Sequence, residues 1–213
     1  MSLKINEIYY SIQGESTHAG RPCIFIRLTY CNLRCTYCDT EYAFYNGNDM
    51  KIPEIIYKIN QWNCNLVEVT GGEPLFQDEC IDLLNELLSQ NYEVLLETGG
   101  SLPILDVPKE VIRIVDFKCP SSNMETKNLW SIVNDLQPHD EVKFVIGDRG
   151  DFDWAREMLN KYSISEKCNV LFSPIFNEID PALIADWILE GKLPVRMQIQ
   201  IHKHIWEPEA KGV

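Results

Sequence analysis

Short runs of β-branched and apolar residues alternate with amphipathic stretches along most of the chain. Runs at residues 23–29, 66–70, 93–98, 112–117, 141–146, 169–172 and 196–201 predict strands. Residues 78–90 place Ile81, Leu84, Leu87 and Leu88 at helical spacing, with Asp82, Asn85 and Glu86 on the other side, and so predict a helix. Further helices are expected at 53–62, 127–136, 153–162 and 181–189, where Pro53 and Pro181 suit a first helical turn. A hairpin-like stretch at residues 5–12 precedes this pattern. Strands alternating with helices imply parallel pairing through right-handed crossovers, hence a barrel or an open doubly wound sheet. A complete eight-unit barrel typically takes about 250 residues. With 213 residues and no linker, repeat or low-complexity tract, the chain is expected to form one α/β domain over residues 1–213, an incomplete TIM-like barrel.

The chemically distinctive residues fall at strand ends. Cys31 follows the first predicted strand, Thr70-Gly71-Gly72-Glu73-Pro74 ends the second, and Glu97-Thr98-Gly99-Gly100 ends the third. Asp116-Phe117-Lys118 ends the fourth, Ser173-Pro174 the sixth, and His202-Lys203-His204 the last. In either candidate fold the carboxyl ends of parallel strands converge on one face, where ligands bind. Sequence-distant motifs are thus expected to share one site.

Charge narrows the partners. Nineteen Lys and Arg against thirty-two Asp and Glu give a net charge of −13, which argues against a direct grip on nucleic acid or an anionic membrane. The longest apolar stretches, such as residues 23–26 and 144–146, are too short to span a bilayer, and a cytoplasmic location is expected.

Eight cysteines are too few for a disulfide scaffold in a chain of this length. Cys23, Cys64, Cys80 and Cys168 read as small apolar residues in or near the core, and Cys119 as a non-ligand. Cys31, Cys35 and Cys38 differ, because all three fall in the segment Cys31-Asn32-Leu33-Arg34-Cys35-Thr36-Tyr37-Cys38. Thiolates select zinc, copper(I) or iron–sulfur clusters. Structural zinc takes four ligands, and Cys23 is separated from Cys31 by roughly 26 Å of extended strand. Three thiolates instead suit a cluster that leaves one iron open to an outside ligand.

This loop, with Tyr37 before its last cysteine, resembles the signature of radical S-adenosylmethionine (SAM) enzymes. Residues Gly71-Gly72-Glu73-Pro74 resemble the motif with which that superfamily contacts the amino group of SAM. The resemblance implies a [4Fe-4S] cluster on Cys31, Cys35 and Cys38 whose open iron chelates SAM. It places Tyr37, Cys38, Asp39, Gly72, Glu73, Lys118, Ser121 and Ser173 around the cofactor. When reduced, such a cluster cleaves SAM to a 5′-deoxyadenosyl radical.

Other residues narrow the resemblance. Ile12-Gln13-Gly14-Glu15-Ser16, Gly20-Arg21-Pro22, Phe25-Ile26-Arg27-Leu28, Asp39-Thr40, Glu97-Thr98-Gly99, the stretch 116–122 and Gln200-Ile201-His202-Lys203 resemble the 7-carboxy-7-deazaguanine synthase family. That family converts 6-carboxy-5,6,7,8-tetrahydropterin to 7-carboxy-7-deazaguanine with loss of ammonia, a step toward queuosine and related deazapurines. The resemblance implies Ile12, Gln13, Gly14, Glu15, Arg27, Thr70, Glu97 and His202 at the substrate, and magnesium on Thr40. By chemistry alone, Arg27 pairs with a carboxylate through its planar fork, and Glu15 or Glu97 accepts from an amidine-like edge. His202 either donates to substrate or is a satisfied structural histidine. A flavodoxin or ferredoxin reductant and a homodimer are the partners expected by analogy. Trp62, Trp130, Trp154 and Trp187 are read as packing residues in helical segments.

Two rival readings follow from the same motifs. One is a radical SAM activase that generates a glycyl radical on a partner protein, which has no evident need for Gln13-Gly14-Glu15 and Arg27. The other is a non-catalytic zinc-binding module. The tail after Trp206 is left without an assigned role.

Overall fold

The computed structural model describes residues 2–213. Its centre is a nine-stranded sheet: β1 (Ser2–Ile12), β2 (Pro22–Leu28), β3 (Asn48–Lys51), β4 (Leu66–Gly71), β5 (Glu93–Thr98), β6 (Ile112–Phe117), β7 (Glu141–Ile146), β8 (Asn169–Pro174) and β9 (Arg196–Met197). The spatial order is β3-β1-β2-β4-β5-β6-β7-β8-β9. Strands β2 and β4 through β9 run parallel, while β1 is antiparallel to both β2 and β3. The sheet is an open curve with short strands at both edges, so the expected incomplete barrel is the architecture observed.

Helices α1 (Ile52–Ile59), α2 (Cys80–Ser89), α3 (Arg149–Lys161) and α4 (Pro181–Gly191) cover the outside, with a single helical turn α5 (His202–Ile205) near the end. Their starts follow from local chemistry. Asp148 accepts the Asp151 N–H and Asp180 accepts the Ala182 N–H, capping orphan donors of α3 and α4. Pro181 opens α4, where its missing N–H costs nothing. Among the described residues no helix is long and apolar enough to cross a membrane.

Four expectations differ from the structure. Residues 5–12 belong to one long strand, β1, which makes its hairpin with β2. Residues 127–136 form short 3-10 turns instead of a helix, because the Asn128 amide bonds the backbone N–H and C=O of Lys118, each at 2.9 Å, and breaks the run. The last strand stops at Met197 instead of residue 201: Gln198 and Gln200 turn their amides to Glu15, and the Ile201 N–H goes to the Gly14 carbonyl. Strand β3, polar and only four residues long, was not expected at all.

Because side chains alternate across a strand, each parallel strand has two characters. Outward residues such as Ile24, Ile26, Val67, Val69, Val94, Leu96, Val115, Phe117, Phe144 and Phe172 form the main core beneath the helices. Cys80 and Cys119 are buried there, and Cys64 and Cys168 pack against it, as read from sequence. Trp130 packs between Phe117 and Tyr162, and Trp154 and Trp187 also pack on this core; Trp62 and Trp130 do so from turns, not helices. Inward residues begin apolar, with Cys23, Phe25, Leu66, Leu95 and Ile114 forming a small plug. Toward the carboxyl ends the inward positions become Arg27, Glu68, Thr70, Glu97, Asp116, Lys143 and Ser173.

Candidate active site

Those polar positions line a cavity of about 520 Å³ at the carboxyl ends of the strands. Cys31, Cys35 and Cys38 line the same cavity as free thiols, all partly buried. Their loop is irregular and held from both sides. The Thr36 N–H and hydroxyl bond the carbonyls of Ser122 and Ser121 at the end of β6, and the Arg34 guanidinium bonds the Cys31 and Leu33 carbonyls while stacking on Phe44 at 4.3 Å. Burial pushes all three thiols up, and Lys118 draws them back. Lys118 is itself held charged, its burial outweighed by Asp116 at 2.9 Å.

The glycine motif fixes the loop's entry. A Cβ at Gly72 would lie 2.2 Å from the Tyr30 oxygen and 2.8 Å from the Cys31 Cβ, so glycine alone permits this approach. The Glu73 N–H donates to the same Tyr30 oxygen at 2.8 Å. The Glu73 side chain is fully buried behind the wall, accepting from the Thr98 hydroxyl, the Gly99 N–H and the Leu75 N–H. Burial raises its carboxyl against these donors. The structure therefore places Glu73 in the framework joining β4 to β5, not on the cavity surface. Ser121 also lies outside the lining, its N–H on Asp151 and its carbonyl on Thr36. Tyr37, Asp39, Gly72, Lys118 and Ser173 do line the cavity.

Opposite the thiols, charged groups are concentrated. Lys143 is buried and contacts Glu15 at 3.0 Å, Asp116 at 3.4 Å and Glu97. Burial opposes its charge, yet these carboxylates outweigh it and hold the ammonium well above its ordinary range. Burial would likewise lift Glu15, but Lys143 and Gln200 hold it below the usual carboxylate range. Glu68 goes the other way: burial, helped by Glu97, pushes its carboxyl up to about 8.

At one end of this floor Arg27 pairs with Glu7 at 2.8 Å and donates from Nη2 to the Tyr9 hydroxyl oxygen at 3.0 Å, while Tyr42 donates to the same Glu7 oxygen. His202 opens α5 instead of ending a strand, and its ring presses on Gly14, where a Cβ would sit 2.0 Å from Nδ1. Burial lowers its pKa, so the ring is neutral at pH 7. The Thr40 hydroxyl donates to Asp39, whose other oxygen is taken by Lys203 at 2.8 Å and Gln200 at 3.1 Å. Residues 208–213 fold back over the opening, with the Lys211 ammonium 4.0 Å above the Tyr42 ring.

The structure thus brings together Ile12, Gln13, Gly14, Glu15, Arg27, Thr40, Thr70, Glu97 and His202 with the three cysteines. It adds Glu68 and Lys143, which the sequence reading left out of the site, and gives Asp116, read there only as part of a strand-end motif, a place beside them. A charged residue at an inward position of a parallel strand is the signal that would have found them.

The donor set fits an iron–sulfur cluster. Among the described residues no three His, Cys, Asp or Glu side chains converge on one point as a single metal ion requires. A multi-iron cluster meets its cysteines one iron at a time, and three thiols spaced along a wall suit it. A Thr40 hydroxyl tied to Asp39 would supply a magnesium ion with one hard oxygen and few of its other ligands.

Residues 25–165 match the family model of the radical SAM superfamily. A 7-carboxy-7-deazaguanine synthase of Koribacter versatilis is 44% identical over 99% of this chain and 100% of the relative. The Chlorobaculum tepidum synthase is 44% identical over 99% of this chain and 97% of its own.

The chain belongs to the 7-carboxy-7-deazaguanine synthase family.

The fold agrees with that family. The crystal structure of QueE from Escherichia coli superposes with a TM-score of 0.79 at 21% identity, covering 94% of each chain. Streptococcus suis SuiB bound to S-adenosylmethionine gives 0.52 at 13% identity over 80% of this chain and 44% of that one. As a radical SAM enzyme of this family, the protein uses a [4Fe-4S] cluster, SAM and magnesium.

Proposed function

We propose that the cavity converts 6-carboxy-5,6,7,8-tetrahydropterin to 7-carboxy-7-deazaguanine with release of ammonia, and that residues 1–213 act as one radical SAM domain. The observation that carries this reading is the meeting of three free thiols and a charged, ligand-sized floor in one cavity. Cys31, Cys35 and Cys38 hold the cluster, and Tyr37, Asp39, Gly72, Lys118 and Ser173 face SAM, with Glu73 and Ser121 bracing that wall from behind. When bound, cluster and SAM supply the adenosyl radical that takes hydrogen from the pterin.

The chain's own residues bind and orient the substrate. Arg27, its Nε and one Nη already fixed by Glu7 and Tyr9, turns its remaining donors to the substrate carboxylate. Glu15 and Glu97, both paired with Lys143, accept from the N–H groups of the heterocycle. Gly14 and Ile12 form the turn above them, Gln13 braces it, Thr70 orients Glu97 through its hydroxyl, and neutral His202 closes the side wall. Thr40 contributes one ligand to magnesium that the substrate carboxylate completes.

A cluster of this kind needs a reducing compartment, which supports a cytoplasmic enzyme reduced by a flavodoxin or ferredoxin. Exposed Tyr10, stacked on Trp62 at the end of β1 beyond its pairing with β3, is the kind of surface a second copy covers, and a homodimer is proposed.

Anaerobic reconstitution with iron and sulfide, followed by carboxytetrahydropterin, SAM, magnesium and reductant, tests the reading. Deazaguanine product with little net SAM consumption is expected. SAM cleavage that requires a partner protein, or a zinc-loaded protein that forms no cluster, contradicts it. Ala replacements at Cys31, Cys35 or Cys38 should each abolish the cluster's visible absorption, while Cys64→Ala leaves it intact. Thr40→Ala should remove stimulation of turnover by magnesium.

A further inference from the structure

One carboxyl on the cavity floor stands outside the ion pairs. Lys143 donates to Glu15 and Glu97 and forms a third ion pair with Asp116 at 3.4 Å, so its charge is already shared by three carboxylates. Glu68 on β4 lines the same floor, is 4% exposed, and forms no ion pair among the described residues. Its Oε2 accepts from the Gln13 side-chain amide. The orientation of that amide is fixed independently, because Gln13 Oε1 accepts the Glu15 N–H at 3.0 Å. Gln13 must therefore present its NH₂ to Glu68, and Glu68 Oε2 must act as acceptor. A proton on Glu68 then resides on Oε1, since the hydrogen bond to Gln13 engages Oε2, and Glu68 lines the cavity.

The surroundings favour that proton. Tyr9 from β1, Cys23 from β2, Glu15 from the loop after β1, Glu97 from β5 and Lys143 from β7 all act on Glu68. The one cation among them is already shared by three carboxylates. A fourth buried anion here would be uncompensated. Burial and Glu97 accordingly push Glu68 up to about 8.

The heterocycle of a pterin carries both N–H donors and acceptor atoms, a ring nitrogen and a carbonyl oxygen. Ionised carboxylates meet only the donors. We propose that Glu68 is a specificity residue, a neutral carboxyl whose Oε1–H donates to an acceptor on the pterin's edge while Glu15 or Glu97 accepts from its N–H groups. This rests on the substrate class proposed above.

The test is a titration of the cluster-reconstituted wild type and Glu68→Gln with 6-carboxypterin, followed by ligand fluorescence across pH. Taking the ratio of the two affinities cancels the ligand's own titration. An amide donates as a neutral carboxyl does, so the two proteins should bind alike below about pH 7, and wild type should weaken relative to the variant by about tenfold per pH unit above its midpoint. A ratio that stays flat with pH, or a variant that binds more weakly at every pH, overturns the proposal. An infrared band of a protonated carboxyl, present in wild type at neutral pH and lost in Glu68→Gln, is the second expected result, and its absence from wild type also overturns it. Pterin binding and deazaguanine formation by wild type with a flat ratio removes Glu68 alone, whereas neither binding nor product removes the substrate reading with it.

Discussion

Two buried cations in this protein sit on opposite sides of the same sheet. On the outer side, Arg113 of β6 meets Asp140, whose side chain is fully buried, through Nε at 3.1 Å and Nη2 at 2.5 Å. Every remaining demand nearby is met: Asp140 accepts the N–H groups of Arg113 and Gln137, and Arg113 also donates to the Asp135 carbonyl. On the inner side Lys143 faces three carboxylates across an open cavity. The first pair is saturated and closed, and it ties β6 to the loop before β7. The second keeps surplus negative charge and room for a ligand. Burial of charge alone therefore does not mark a functional site; unsatisfied charge beside an accessible cavity does.

The largest stability effect should fall on the closed pair. Asp140→Ala strands a buried guanidinium and should cost about 3–5 kcal/mol in denaturant unfolding, while turnover per folded molecule is retained. Lys143→Met should cost less, about 1–3 kcal/mol, because cavity water can hydrate the carboxylates left behind. The sign of its pH dependence follows from Glu15, whose folded pKa lies below the unfolded one. The Lys143 contribution is present above the ordinary carboxylate range and is lost as pH falls through the folded value, so the variant's deficit should shrink in acid. Near-equal deficits at neutral and acid pH would erase the difference drawn between the two sites.

Glu68 provides a finer test. With its folded pKa at about 8 against an ordinary value of 4.5, folding retains a proton that the unfolded chain releases, and stability is lost as pH rises between these values. The slope is at most about 1.4 kcal/mol per pH unit. Glu68→Gln should therefore gain stability relative to wild type on going from about pH 5 to about pH 8, measured as the shift in denaturant midpoint. The smallest effect belongs to the exposed Arg21–Glu93 pair, whose partners are 45% and 35% accessible. Arg21→Ala should change stability by less than about 1 kcal/mol, and less still in high salt.

The sheet and the thiol wall were legible in the sequence for the same reason: both depend on short-range pattern. Strands β5, β6 and β7 fall where their apolar runs predict them, and the spacing of Cys31, Cys35 and Cys38 stands out within one loop. The floor was only partly legible. Lys143 reaches Glu15 across 128 positions and Glu97 across 46, distances over which no local pattern signals contact. Glu68 reads in sequence as one polar residue within an apolar strand, and only the register of β4 turns it inward. The expected helix at 127–136 failed for a local reason that amphipathicity does not encode, since Asn128 spends its amide on the end of β6. The last strand was overextended because Glu15, nearly the whole chain away, draws Gln198 and Gln200 out of the sheet.

The claim that the inner cluster exists for a ligand is tested most directly by titrating 6-carboxypterin into cluster-reconstituted wild type, Lys143→Met and Asp140→Asn at neutral pH. The account predicts at least a tenfold loss of affinity for Lys143→Met and wild-type affinity for the folded fraction of Asp140→Asn. Unchanged affinity in Lys143→Met, or equal losses in both variants, would contradict it.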